Sequence, residues 1–325
     1  MLVSVNGQLV PAAQASVSVF DRGFLFGDGV YELVRYFNGQ PVAMDLHQAR
    51  LARSCQLVGI TGFEASLLPD ICRELLEANC LRDASVYVQV TRGAGATRTH
   101  MPQPGLVPTV VAIASAAPTL EQFTQPESVS VITMEDPRWK RCEIKTISLA
   151  GNILCLMHAQ AAGAEETILL RDGMVGEGAS TNVAIVHEGR VVTCPLDSEE
   201  TPVLHGTMRS WLVDAARAAG VPVDVRPISQ HELRAAPEVL LTSSRRLVSA
   251  VTRMDGHPVG AGVPGPICRA LFTEMRKWCL ALVSRVSAAE SGGAVGAVGT
   301  AGATGAAGAA SVGAATSARA FPSGK

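Results

Sequence analysis

The sequence predicts an α+β protein of two domains, and three observations lead there. Pairs that favour positive φ stand between alternating apolar runs at Asn6-Gly7, Asn38-Gly39, Asp172-Gly173 and Asp255-Gly256, with Glu188-Gly189 a weaker case, and each is a hairpin signal. Helical periodicity lies between the hairpins without a regular strand-helix alternation, which argues against a doubly wound parallel sheet. The 325 residues are enough for two domains with substantial cores.

Taken in order, the runs 31–37, 167–170, 183–186 and 191–194 read as strands flanking those turns. Asp45 reads as the N-cap of a helix to about Val58, and further helices fit 65–79, 151–162, 207–219 and 265–285. Strands at 108–113 and 128–133 bracket Ala114-Ser-Ala-Ala-Pro-Thr-Leu-Glu121, which reads as a linker. The boundary therefore falls near 120, giving domains of 1–119 and 120–286. From about Ser287 the chain is almost wholly Ala, Gly, Ser, Thr and Val until Phe321. Such a segment buries too little to offset its ordering entropy, so 287–325 is expected to be a disordered tail.

Charge and composition exclude several functions. The 27 Lys and Arg nearly balance 29 Asp and Glu for a net charge of −2, which leaves no basic excess for nucleic acid. Eight cysteines without a Cys-x-x-Cys pair read as reduced thiols in a cytoplasmic protein. No basic-then-apolar leader opens the chain, and the longest apolar run, about 106–117, is too short for a bilayer and is broken by Pro108, so no membrane segment is expected.

The phosphate-loop, dinucleotide, zinc-hydrolase and serine-hydrolase motifs are absent from the sequence, and His231-Glu232 lacks a second His at metal spacing. What remains is a set of isolated signals. Lys145, one of four lysines, sits in the apolar, small-residue run Ile144 to Gly151. A lysine there either is paired, snorkels from a strand end, or serves as a Schiff-base amine. Glu177 lies between glycines that let a flat ligand come close. Arg50 and Arg53 share a helix face, and Arg50 has the fork that grips a phosphate. Arg98 and His100 stand two apart after a strand, as a carboxylate trap would.

Four motifs, read in order, carry more than any one signal. Phe20-Asp-Arg-Gly-Phe-Leu-Phe-Gly-Asp-Gly-Val-Tyr-Glu32, Leu46-His-Gln-Ala-Arg-Leu-Ala-Arg53, Arg138-Trp-Lys-Arg-Cys-Glu-Ile-Lys145 and Glu177-Gly-Ala-Ser-Thr-Asn-Val183 resemble the fold-type IV pyridoxal-phosphate enzymes over about 3–280. That class contains branched-chain aminotransferases, D-amino acid aminotransferases and aminodeoxychorismate lyase. The resemblance implies a smaller amino-terminal α/β domain, a larger carboxyl-terminal domain, pyridoxal 5′-phosphate in the cleft between them, and a homodimer. It also implies that Lys145 is the Schiff-base lysine, acting as general base and acid between the substrate Cα and the cofactor C4′. Glu177 takes the place of the carboxylate facing the pyridine nitrogen, and Arg50 that of the phosphate-binding arginine. Gly206, Thr207, Ser243 and Ser244 look like the rest of the phosphate cup, with Leu204 packed near the ring.

Within the class the sequence is most similar to the D-amino acid aminotransferases, in which a Tyr, an Arg and a His gather the substrate α-carboxylate; Tyr31, Arg98 and His100 stand in those motifs. The implied reaction moves the amino group of D-alanine or a similar D-amino acid to 2-oxoglutarate or another 2-oxo acid by a ping-pong route. A branched-chain L-amino acid aminotransferase and an aminodeoxychorismate lyase are the alternatives, and an (R)-selective amine transaminase a further one. Two departures stand out. The usual Gly-Ile-Thr-Arg reads Gly206-Thr-Met-Arg209, moving the hydroxyl by one residue, and Arg245 and Arg246 follow Ser243-Ser244, where they would favour an acidic side chain such as that of D-glutamate or D-aspartate.

Overall fold

The computed structural model describes residues 1–292, with side chains to residue 284. The chain opens with strands β1 (Leu2–Val5) and β2 (Gln8–Pro11), the short helix α1 (Arg22–Phe26), β3 (Gly29–Phe37) and β4 (Gln40–Pro41). Helices α2 (Met44–Val58) and α3 (Leu68–Ala78) and strands β5 (Ala84–Thr91) and β6 (Thr109–Ala116) follow. These six strands form one antiparallel sheet in the order β2-β1-β6-β5-β3-β4. Period-2 alternation divides its faces. Val30 and Val34 of β3 and Val86, Val88 and Val90 of β5 are fully buried in a core shared with Leu51 of α2 and Leu75 of α3. Tyr31 and Leu33 point the other way, into a cavity.

The second half begins with β7 (Glu127–Glu135), α4 (Ala150–Ala161), β8 (Glu166–Arg171), β9 (Met174–Gly178), β10 (Asn182–His187) and β11 (Arg190–Thr193). It continues through α5 (Thr207–Ala218), β12 (Val223–Val225), α6 (Gln230–Ala235), β13 (Glu238–Ser243), β14 (Leu247–Met254), β15 (His257–Pro258) and α7 (Pro266–Gly292). A nine-stranded mixed sheet results, in the order β12-β11-β10-β13-β14-β7-β8-β9 with β15 on β14. Helices α5 and α7 cover one face through Met208, Leu212, Phe272 and Met275. Leu233 of α6 joins Val129, Ile168 and Ile185 in a separate core. The halves are tied together by Phe37, which ends β3 yet belongs to the core of the second sheet, edge-on to Phe123 at 5.4 Å. Burying such a ring stabilises by about 2–3 kcal/mol.

All five expected hairpins form, and in each both turn residues have positive φ; even Glu188, the weakest signal, sits at φ 49 before Gly189 at φ 73. Several details differ from expectation. Asp45 is not the N-cap of α2: Ala43, in the left-handed region at φ 52, precedes Met44, and Asp45 lies in the first turn, where its charge suits the helix dipole. The helix expected over 65–79 is a 3-10 turn, Ala65–Leu67, leading into α3. Strand β6 runs through Ala116, into the stretch read as linker, and β7 begins at Glu127. Helices α1 and α6 escape the sequence reading because each is under two turns, too short for periodicity; Asp21 caps the first, and Ser229 with Glu232 forms a capping box on the second.

Met1–Val283 form one compact unit containing both sheets. Helix α7 extends to Gly292, past residue 287 where a tail was expected, and residues 293–325 of that tail lie outside the described residues. Among the described residues no helix is long and apolar enough to cross a membrane, and no cluster of ligating side chains fits a metal ion.

Candidate active site

A cavity of about 880 Å³ opens between the two sheets. Lys145 reaches it from the loop between β7 and α4. That loop is pinned to the first sheet: the Tyr31 N–H donates to the Lys145 carbonyl (3.0 Å), and the Lys145 N–H donates to Ser54 Oγ (3.2 Å). The Lys145 ammonium therefore lies over the Tyr31 ring, 4.3 Å from its centroid, where the ring's negative face attracts it. Lysine and tyrosine come from different halves of the chain and meet only through folding.

Glu177 is carried by β9 and is 4% exposed on the cavity wall. Its Oε1 accepts from Arg138 (2.8 Å), and its Oε2 accepts from the Leu204 N–H (2.8 Å) and from Asn182 (3.1 Å). Arg138 also forks onto Asp136 at 2.9 Å, and Arg171 joins the same carboxylate. Burial pushes the Glu177 carboxyl above the ordinary range, and the Arg138 charge and the Leu204 N–H pull against it. Arg138 and Asn182 lie inside two of the sequence motifs, yet the sequence alone assigns them no role. The available signal was Asp136 and Arg138 two residues apart beside a chain segment that also holds the lysine.

Arg50 is buried in α2 and borders the cavity, whereas Arg53 is exposed. Its Nε and one terminal nitrogen donate to Glu32 at 2.7 and 2.8 Å, and the other donates to the His205 carbonyl at 3.1 Å. His47 Nδ1 lies 2.6 Å from Glu32 Oε2, the oxygen that also accepts from the Arg50 terminal nitrogen. Burial alone would push Glu32 up, but Arg50 and then His47 outweigh it and bring its pKa to about 2. Burial likewise lowers His47 from its ordinary value, with Arg50 and Lys145 adding to the effect. Glu32 thus holds a guanidinium at the cavity edge with part of its five-donor fork unspent. A glutamate between Val30 and Val34 on a buried strand face was the sequence signal for such a partner.

The remaining wall is a helix start. Thr207 begins α5, and no side chain caps its free N–H groups, which is how an anion site at a helix terminus is built. Gly206 is required before it, since a Cβ there would stand 1.8 Å from Asn182 Oδ1. Thr207 Oγ1 lies 3.5 Å from Ser244 Oγ, and Leu204, Gly206, Ser243 and Ser244 all line the cavity. At the shift from Gly-Ile-Thr-Arg, the Thr207 hydroxyl stands on the cavity wall near Ser244, and Met208, 1% exposed, packs in the core while also bordering the cavity.

Arg98 and His100 are not brought to this cavity. Among the described residues they are exposed on the loop between β5 and β6, stacked around Phe26: the Arg98 guanidinium is 5.0 Å and the His100 ring 5.6 Å from its centroid. Arg245 and Arg246 do line the cavity, the first exposed, the second tied to Glu127 at 3.1 Å.

A family model for the class IV amino-transferases matches residues 29–254, the span that carries Tyr31, Arg50, Lys145, Glu177 and Ser244. The chain belongs to the class IV aminotransferases. This class IV chain is 37% identical over 282 residues to the D-alanine aminotransferase of Bacillus licheniformis, covering 86% of this chain and 98% of that protein. It is 32% identical over 277 residues to the D-alanine aminotransferase of Staphylococcus aureus (strain MW2), covering 85% and 97%. Among solved structures, the branched-chain aminotransferase of Thermoproteus uzoniensis with norvaline matches with a TM-score of 0.78 at 24% identity, over 88% of this chain and 96% of that one. The T.th. branched-chain amino acid aminotransferase with pyridoxamine 5′-phosphate gives 0.77 at 24%, over 87% and 94%. Those two share the fold.

The enzyme is a pyridoxal-phosphate-dependent transaminase. Its residues fit that group on structural grounds. The hydroxyls Thr181 Oγ1 and Thr242 Oγ1 are buried against the cavity wall without a partner, which a polar ligand would satisfy. An uncapped helix start, two serines and Arg50 suit a phosphate, and Glu177, held by three donors, suits a protonated ring nitrogen. When bound, the cofactor supplies an electron sink for the carbanion formed at the substrate Cα.

Proposed function

We propose that the chain is a D-amino acid aminotransferase, moving the amino group of D-alanine or a similar D-amino acid to 2-oxoglutarate or another 2-oxo acid in a ping-pong cycle. The observation that carries this reading is the run of full-length relatives named D-alanine aminotransferase at 31–37% identity. With the cofactor bound, Lys145 Nζ, which reaches the cavity, would be the group that takes the proton from the substrate Cα and gives it back, as general base and then acid. Glu177 would favour a protonated ring nitrogen, Arg50, Gly206, Thr207, Ser243 and Ser244 would hold the phosphate, and Leu204 would lie near the ring. Tyr31, Arg98 and His100 gather the α-carboxylate, and fixing it on one side decides which enantiomer turns its Cα hydrogen to Lys145.

That trap requires a second copy. Arg98 and His100 lie outside the cavity of their own chain, and Met101 on the same loop and Phe20, whose carbonyl accepts from the Gly95 N–H, are exposed apolar side chains, a surface suited to pairing. In the homodimer the loop of one protomer closes the cavity of its partner, and the domains divide near residue 120. Eight free thiols suit a cytoplasmic setting. Arg245, exposed at the cavity rim, favours an acidic substrate side chain; unchanged D-glutamate to D-alanine rate ratios in Arg245→Ala and Arg246→Ala would remove that preference.

The likeness in fold to branched-chain aminotransferases supports an L-amino acid reading as the alternative. The visible spectrum of the cofactor-loaded enzyme separates the two. Conversion by D-alanine and restoration by 2-oxoglutarate, with no response to L-leucine, is the expected result. Response to L-leucine alone favours the alternative, and response to neither favours aminodeoxychorismate lyase or amine-transaminase chemistry.

A further inference from the structure

The loop that carries Arg98 and His100 is held from one side. At its base the Arg22 N–H donates to the Gly93 carbonyl (2.9 Å), the Gly95 N–H to the Phe20 carbonyl (3.3 Å), and the Arg92 N–H to the Asp28 carbonyl (3.1 Å). Gly93 cannot be replaced there, since its φ is +99 and a Cβ would stand 1.9 Å from the Val107 carbonyl oxygen. Beyond the base, Arg22 reaches the tip itself. Its two terminal nitrogens donate to the carbonyls of Thr99 and His100, each at 2.8 Å. The other hydrogen bonds of 96–101 are internal to the loop, such as Thr99 Oγ1 to the Met101 carbonyl and the Ala96 N–H to Gln103.

Arg22 is itself held. Its Nε donates to Asp28 Oδ2 at 2.7 Å, and Arg92 grips the same carboxylate with two bonds of 2.8 Å while donating to the Val58 and Gly59 carbonyls at 2.7 Å. Asp28 thus links the tip of the loop to the end of α2. On the outer side, Phe26 offers one ring to three cationic or ionisable groups: Arg22 at 4.8 Å, Arg98 at 5.0 Å and His100 at 5.6 Å.

We propose that Arg22, Asp28 and Phe26 form a clamp that positions Arg98 and His100 and so sets the affinity for the substrate α-carboxylate. The inference rests on the reading of Arg98 and His100 given above and adds three positioning residues that touch neither cofactor nor substrate. An exposed arginine on a free loop loses rotamer and backbone entropy when it grips a ligand. A loop whose carbonyls are already held, and whose guanidinium is stacked on a ring, has lost much of it beforehand. The clamp therefore acts on substrate capture, leaving the proton transfer at Lys145 alone.

The test compares Asp28→Asn, Phe26→Leu, Arg98→Ala and the double variant D28N/R98A in the pyridoxal-phosphate-loaded enzyme. KM for D-alanine, kcat, cofactor affinity by visible absorbance and thermal midpoint are measured for each. Asp28→Asn and Phe26→Leu are expected to raise KM roughly 10-fold or more, with kcat and cofactor affinity within about 2-fold. The double variant should show a smaller further rise in KM than Asp28→Asn shows in the parent, because the clamp works in part through Arg98. Should D28N fail to fold, Phe26→Leu, a change on a half-buried ring, carries the comparison. If Arg98→Ala raises KM while both clamp variants leave it unchanged, or if the two effects simply multiply, the clamp is overturned and the trap stands. If Arg98→Ala leaves KM unchanged, the trap itself fails and the clamp with it.

Discussion

Arg138 and Glu177 face each other at 2.8 Å on the cavity wall, with side chains only 8% and 5% exposed. Both charges have been taken out of water, so each depends on the other. Replacing Arg138 with Met leaves Glu177 buried with a weaker set of partners, which costs about 3–5 kcal/mol when a buried pair is broken on one side. Without the opposing guanidinium the Glu177 carboxyl moves further above its ordinary range, in the direction burial already pushes it. Arg138→Met is expected to weaken cofactor binding as well as the fold, checked by urea denaturation of the apoprotein and cofactor titration of the refolded variant.

Lys145 is held at its backbone by Tyr31 and Ser54 and by its ammonium over the Tyr31 ring. Lys145→Ala removes the amine proposed to move the proton while leaving Glu177 and the α5 terminus in place. Transamination should fall by at least about 10³-fold, with the thermal midpoint of the apoprotein within a few degrees of the parent. Retention of more than a tenth of the activity would assign the proton transfer elsewhere.

Thr207 tests the shifted motif. Its hydroxyl faces the cavity beside Ser244, and Met208 is core. Thr207→Val keeps the shape and removes one hydrogen bond to an anion, an effect of about 1.5–3 kcal/mol, so cofactor affinity should drop roughly 10-fold or more. Met208→Ala should instead lower stability by about 2–5 kcal/mol, read from urea denaturation of the apoprotein.

Glu32 gives the acid-side prediction. Burial works to raise its pKa, but Arg50 and then His47 overcome that penalty and lower it from 4.5 to about 2. A carboxylate depressed in the folded state stabilises above its unfolded value and loses that contribution as pH falls through the folded one. The contribution is therefore complete above about pH 5 and fades between there and pH 2, amounting to about 3 kcal/mol. Glu32→Gln should be less stable than the parent at pH 7 by that order, and in urea denaturation curves the gap should shrink to about half by pH 3 and nearly close at pH 2.

Local chemistry decided much of this molecule. A turn that needs two positive-φ residues draws on Asn-Gly or Asp-Gly, and the four such pairs read as turns, Asn6-Gly7, Asn38-Gly39, Asp172-Gly173 and Asp255-Gly256, became hairpins. Val30, Val34 and Val86 to Val90 alternate at period 2 and face one core. Lys145 and Glu177 were legible because charged residues in apolar or glycine-rich surroundings need a reason to be there. Tertiary structure alone decided what those charges meet. Arg138 on Glu177, Arg50 on Glu32 and Lys145 over Tyr31 join residues 39, 18 and 114 positions apart, and such distances are set by how strands pair across sheets. The same reason kept Arg98 and His100 away from the cavity of their own chain: two residues apart in a loop, they follow the Arg22 and Phe26 contacts that folding brings to them.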